Sequence, residues 1–283
     1  MEYEELNRTG VRITKLGLGT YGIESAPRDE AIMALRRGIE LGMTLIDTAE
    51  MYGWGWVEEI VGEAIKPFDR DELTIVTKVW GTNLAYESVK RAAKASARRL
   101  GTHIDVYLIH WPNPSIPLEE TLRAMEELVT EGVVRYIGIS NFSLELMKRA
   151  RGLLQHNDLV ANQVEYNLRV RDPEGDLLPY CQRERITLMA YSPLDKGRLA
   201  RRPPQKLKFV ATRLGRTPAQ VALNWLISKP MVIAIPKAAR LDHVEEIADA
   251  VGWRIPRDLL SELEELEGEE LDGQGREPHL GLS

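Results

Sequence analysis

Apolar and β-branched residues gather into eight short runs, each followed by a segment in which apolar residues recur at helical spacing. The runs are KLGLG at 15–19, TLIDT at 44–48, LTIVTK at 73–78, DVYLIH at 105–110, VVRYIGIS at 133–140, LVANQVE at 159–165, ITLMAYS at 186–192 and VIAIP at 232–236. Their length and composition predict strands. Between them, Ile32, Leu35 and Ile39 share one face of a helix that ends at a glycine, and Leu118, Leu122, Met125 and Val129 do the same after Pro117. Strict alternation of strand and helix predicts parallel strands joined by right-handed crossovers, and mainly apolar strands predict a sheet covered outside by helices. The expected fold class is therefore α/β, a closed (β/α)8 TIM barrel. The rival, an open doubly wound sheet, normally carries a G-x-G-x-x-G turn after its first strand, a spacing that GLGTYG at 17–22 lacks. Residues 2–14 read as an N-terminal β-hairpin, YEEL and VRIT around an NRTG turn, closing the barrel floor. The tail after about 268 reads as irregular, and residues 1–283 as a single domain.

Composition narrows the function. The chain has 283 residues, 43% of them apolar, enough for one barrel with a substantial core. A net charge of −6 argues against a nucleic-acid or membrane-surface binder and for small-molecule partners. A single cysteine, Cys181, leaves neither an intrachain disulfide nor a cysteine-based zinc site. No signal-peptide pattern opens the chain, and no run approaches the roughly 18 to 20 apolar residues of a membrane span. The expectation is a cytoplasmic protein, a monomer or weak homo-oligomer.

The candidate chemistry comes from spacing. Asp47, Lys78, His110 and Asn141 each stand at or near the C-terminal end of a predicted strand, 31, 32 and 31 residues apart. Gln163, Tyr191 and Lys237 take the same place on the sixth, seventh and eighth strands. In a parallel barrel all these ends converge on one rim, where active sites lie, so the seven polar groups are expected around one pocket. Each alone has a plainer reading as a helix cap, a structural histidine or packing; the conjunction carries the argument. A buried Lys78 needs an anion, which Asp47 on the neighbouring strand supplies. A lysine near Tyr52 is expected to favour the phenolate, lower the phenol's pKa and ease proton donation, with His110 orienting or polarising a carbonyl oxygen.

The motifs GLGTYG, LIDTAEMYG, VTK, DVYLIHWP, GISNF, ANQVEYN, AYSPL and IPKAA, in that order, resemble the aldo-keto reductase superfamily over essentially the whole chain. The resemblance implies reversible reduction of an aldehyde or ketone by NADPH or NADH, without metal or flavin. It maps the catalytic tetrad onto Asp47, Tyr52, Lys78 and His110. It implies cofactor contacts from Gly19, Thr20 and Asp47, and a hold on the nicotinamide amide by Ser140, Asn141 and Gln163. Tyr191 would face the nicotinamide ring, and Ser192 and Leu194 would begin the loop over the pyrophosphate. Lys237 and Arg240 resemble contacts to the 2′-phosphate of NADPH, and Glu246 a contact to the adenine. The chain departs from the commonest pattern at Ala238, where a hydroxyl residue is frequent, and at His243, where an arginine is frequent. A neutral imidazole holds a phosphate less strongly than a guanidinium, so NADPH is favoured and NADH is the alternative.

Residues 196–216 carry a local charge of +8 with no acidic residue, which reads either as a solvated helix and loop or as an electrostatic rim for cofactor phosphates. Tyr21, Trp54, Trp80 and Trp111 follow motif residues at the first four strand ends and predict an aromatic, mainly apolar substrate pocket. Two rival functions share these residues. One is a nucleotide-binding regulatory or redox-sensing module of the same fold, similar to potassium-channel β-subunits. The other is a barrel lyase or isomerase forming a Schiff base on Lys78.

Overall fold

A computed structural model describes residues 1–266. Its strands are β1 (Tyr3–Glu5), β2 (Arg12–Thr14), β3 (Leu18–Gly19), β4 (Leu45–Asp47), β5 (Thr74–Val79), β6 (Ile104–Ile109), β7 (Val134–Ser140), β8 (Leu159–Glu165), β9 (Thr187–Tyr191) and β10 (Val232–Ala234). The helices are α1 (Arg28–Glu40), α2 (Trp56–Ile65), α3 (Tyr86–Leu100), α4 (Leu118–Thr130), α5 (Leu144–Leu153), α6 (Leu177–Glu184), α7 (Arg198–Arg201), α8 (Gln205–Leu214), α9 (Pro218–Ile227), α10 (Leu241–Ala248) and α11 (Arg257–Glu264). Strands β3 to β10 pair in parallel and in sequence order. The first and last also meet: Gly17 N–H donates to the Ala234 carbonyl at 2.9 Å and Gly19 N–H to the Pro236 carbonyl at 2.8 Å. The sheet is thus a closed eight-stranded barrel, as the alternating runs predict.

Gly19 of GLGTYG finds its reason at this seam. A Cβ on Gly19 would lie 2.6 Å from the Ile235 carbonyl oxygen. Only glycine lets the two edges approach this closely.

Helical periodicity is realised where the sequence places it. Ile32, Leu35 and Ile39 are buried on α1, which is followed by Gly42 in the left-handed region at φ 90°. Leu122 and Met125 are buried on α4, with Leu118 and Val129 packed at its margins. These faces form an apolar shell between helices and barrel, while Leu45, Val76, Val106, Leu108, Ala161 and Met189 fill the interior.

The hairpin forms as expected, with Glu4 opposite Ile13. Leu6 and Ile13 are buried and join the interior cluster from below. Asn7 Nδ2 donates to the carbonyl of Leu159 at the start of β8, and Leu45 N–H at the start of β4 donates to Thr14 Oγ1. The floor is therefore both apolar and hydrogen-bonded to the strand beginnings.

Candidate active site

Side chains on a strand alternate between its faces, so a residue two positions beyond an interior one points the same way. Leu45, Val76, Leu108, Ala161 and Met189 are interior. Two residues on stand Asp47, Lys78, His110, Gln163 and Tyr191. The polar groups occupy the last inward position of their strands, one layer above the apolar core.

They are bonded to one another. Lys78 is wholly buried, and its Nζ donates to Asp47 Oδ2 at 2.8 Å, to the Thr48 carbonyl at 2.8 Å and to Tyr52 Oη at 3.3 Å. The other Asp47 oxygen accepts from Gln163 Nε2 at 2.7 Å. Asn141 Nδ2 donates to the His110 carbonyl and to Ser140 Oγ, both at 3.0 Å, and its Oδ1 accepts from Tyr191 Oη at 3.0 Å. Ser140 Oγ in turn donates to the Gln163 carbonyl. The His110 ring stands edge-on to Tyr52 and Trp80, with centroids 5.8 and 5.3 Å away, and Tyr21 meets Tyr52 in the same manner.

Tyr52 comes from a turn rather than a strand. Gly53, Trp54 and Gly55 follow it at φ 53°, 55° and 91°, a left-handed run that costs a tryptophan strain. Buried Glu58 pins the segment: it accepts from Thr77 Oγ1 of β5 and pairs with Arg99 of α3, whose guanidinium lies where a Cβ on Gly55 would go.

Burial and the Asp47 carboxylate push the Tyr52 phenol well above its ordinary value. This corrects the expectation that Lys78 lowers it. The lysine's charge is already matched by Asp47, and the phenol is held as the neutral proton carrier. Burial also lowers the Lys78 ammonium, against the pull of Asp47. His110 is driven down to about 3 by burial and then by the Lys78 cation, so its ring is neutral. Its Nδ1 is buried without a hydrogen-bond partner.

A profile of the aldo/keto reductase family matches residues 15–267. The chain belongs to the aldo/keto reductase family. Among curated relatives, this reductase is 41% identical to the methylglyoxal reductase YeaE of Escherichia coli over 244 residues, 84% of this chain and 85% of that one. Among solved structures, it is similar to the thermostable aldo-keto reductase Tm1743 bound to the inhibitor epalrestat, at TM-score 0.90 and 45% identity over 94% of this chain and 100% of that one. An aldo-keto reductase from Klebsiella pneumoniae, solved with NADPH, matches at TM-score 0.86 and 38% identity over 94% and 95% of the two chains.

The reductase brings together six of the seven strand-end groups predicted to meet, together with Tyr52. The exception is Lys237, which lies beyond β10 with its side chain exposed while its backbone bridges to Gly19. Thr20 is buried and tied to the Asp47 carbonyl through both its N–H and its hydroxyl. Ser192 sits at φ 47°, its carbonyl accepting from Asn167, and Leu194 packs on the outer core. Arg240 differs from the picture of an open phosphate contact: its guanidinium lies on the Asp242 carboxylate. His243 is exposed in the first turn of α10, and Glu246 is half-buried on the same helix. Ala238 is buried, its methyl part of the core.

The aromatic residues divide into two pairs. Tyr21 and Trp80 make the ring contacts described above, Tyr21 while still 69% exposed, whereas no ring contact among the described residues joins Trp54 or Trp111, 91% and 42% exposed, to the site. In the basic segment, Arg213 and Arg216 lie over the rings of Phe209 and Trp253, and Lys206 pairs with Glu265. These contacts favour the solvated-helix reading for that part of it.

Two contributors were not singled out in the sequence, Thr48 and Glu50. The Thr48 backbone carbonyl accepts from Lys78, and Glu50 Oε1 accepts from Trp80 N–H at 2.5 Å and from Asn83 Nδ2 at 3.0 Å. Nothing in a sequence marks a backbone acceptor. Glu50 had a signal, an acidic residue between Asp47 and Tyr52 in an otherwise uncharged stretch.

Proposed function

We propose that this reductase, acting as a single catalytic domain, converts aldehydes or ketones to alcohols with NADPH, and that Tyr52 is the proton donor. The carrying observation is that one buried ammonium, Lys78, contacts both the Asp47 carboxylate and the Tyr52 phenol. The Klebsiella relative solved with NADPH supports that coenzyme, and the likeness to a methylglyoxal reductase supports small reactive carbonyls as substrates.

The residues present fit a nicotinamide. Ser140, Asn141 and Gln163 offer hydroxyl and amide groups at adjoining strand ends, and Tyr191 offers a flat face on the next strand. Asn141 reaches its place by adopting φ 63°, a conformation that asparagine tolerates better than most residues. A nicotinamide coenzyme held there would supply the hydride for the carbonyl carbon. Tyr52 gives its phenolic proton to the carbonyl oxygen, and Lys78 stabilises the phenolate left behind. His110 donates from Nε2: a neutral ring carries one N–H, and placing it on the partnerless buried Nδ1 would bury an unsatisfied donor.

The Schiff-base alternative is disfavoured because Lys78 Nζ is fully buried with three acceptors around it, leaving no free amine for a carbonyl. We further propose a cytoplasmic protein, monomeric or weakly self-associating. Cys181 is buried with its thiol pushed up to about 12, and no helix among the described residues is long and apolar enough to cross a membrane.

The test is coenzyme oxidation by purified protein against a panel of aldehydes and ketones, with NADPH and NADH in parallel. Carbonyl-dependent oxidation favouring NADPH is expected. Tight nucleotide binding without turnover across the panel would instead support the sensing module.

A further inference from the structure

His110 lacks the anchor that usually fixes a working imidazole. Its Nδ1 has no partner, and its ring is held by edge contacts to Tyr52 and Trp80. The orientation of His110 therefore depends on where Trp80 stands. Trp80 begins a four-residue turn just beyond β5, closed by Asn83 N–H donating to the Trp80 carbonyl at 2.8 Å. One carboxylate oxygen, Glu50 Oε1, grips both ends of that turn through Trp80 N–H and Asn83 Nδ2. Glu50 itself is two residues before Tyr52, and its backbone N–H points to the Lys78 carbonyl.

We propose that Glu50 is a positioning residue for the reduction: it locks the 80–83 turn, the turn places Trp80, and Trp80 sets the His110 ring against the Tyr52 phenol. The tie joins the segment carrying the proton donor to the loop that supports the carbonyl-orienting imidazole. It rests on the reading of Tyr52 and His110 given above. A charged hydrogen bond suits the task because the backbone N–H of Trp80 cannot choose another side chain without moving the ring.

The experiment is a double-mutant cycle between Glu50→Ala and Trp80→Ala, read as kcat/KM for a carbonyl substrate, with melting temperature and coenzyme Kd as controls. The proposal expects Glu50→Ala to lower kcat/KM by about tenfold, as for loss of one charged hydrogen bond, and the controls to stay put. Glu50→Gln, which keeps an acceptor oxygen, should retain most of the activity. In the Trp80→Ala background the Glu50 loss should vanish, since the two act through one path. If Glu50→Ala does not fold, the smaller loss of Glu50→Gln must vanish in the same way. Equal losses in both backgrounds overturn the proposal. A second readout is independent of turnover: in the nucleotide-free, 13C-labelled protein the His110 ring cross-peaks should move in Glu50→Ala and stay close to their parental positions in Glu50→Gln. Cross-peaks unmoved in Glu50→Ala overturn the Glu50 path even if the reductase reading stands, and cross-peaks that move in Glu50→Ala but not in Glu50→Gln uphold it even if no substrate is turned over.

Discussion

The lower and upper halves of the barrel interior are built by the same strands, yet one is packing and the other chemistry. At the floor, Leu6 and Ile13 of the hairpin meet Leu45, Val76 and Leu108 in an apolar plug. One step of the strand alternation higher stand Asp47, Lys78 and Gln163, joined to one another and to Tyr52 by hydrogen bonds of 2.7–3.3 Å, and His110, whose ring keeps edge contacts to aromatic neighbours. Rigidity below and polarity above are complementary. A buried ammonium is tolerable only if its partners are held in place, and the filled layer beneath gives the strand ends nowhere to relax.

Substitutions in the two halves should therefore separate stability from activity. The largest effect is expected from Lys78→Met. It leaves Asp47 buried without its cation and should destabilise the fold by about 3–5 kcal/mol, while lowering kcat/KM by about a thousandfold or more through loss of phenolate stabilisation. Denaturant melts with steady-state kinetics check both; unchanged turnover would remove Lys78 from the site. Leu6→Ala, in the floor, should cost about 2–5 kcal/mol in the same melts with kcat/KM per folded molecule unchanged. A matching loss of activity would show that floor and rim are not separable.

Smaller effects refine the rim. His243→Arg places a guanidinium in the first turn of α10 and should shift the NADPH to NADH preference toward NADPH by about tenfold, the worth of one phosphate contact. An unchanged ratio would show that the position does not face the phosphate. The smallest expected change is none: His110 is held near 3, so its ring resonances should stay flat as the pH falls from about 8 to about 5, where an ordinary histidine titrates. The same depression carries a stability consequence with a definite sign. Below about pH 6.5 the unfolded chain takes up a proton that folded His110 refuses, so this residue's contribution to stability falls progressively down to about pH 3.

The sequence was most legible where a period exists. Eight β-rich runs with helical segments between them specified the barrel, and the polar residues at the run ends specified the side chains that meet at the rim, all but Lys237. Relations across the barrel and local electrostatics were less so. The seam that requires Gly19 is a contact between residues far apart in the chain. The hairpin's tie through Asn7 to Leu159 spans 152 positions. The Tyr52 phenol is raised rather than lowered because its burial and the Asp47 carboxylate, neither visible in the spacing, outweigh its proximity to a lysine. The resemblance that places Arg240 near a phosphate carries no sign of its ion pair with Asp242.

The central claim is that the phenol of Tyr52, held protonated beside a buried Lys78–Asp47 pair, supplies the proton in carbonyl reduction. The most direct measurement is Tyr52→Phe, comparing coenzyme Kd with kcat for carbonyl reduction against the parent protein. The account predicts a Kd changed little and a kcat lower by about a hundredfold to ten-thousandfold, the range for losing a general acid. A variant that binds coenzyme and reduces carbonyls at the parental rate would contradict it.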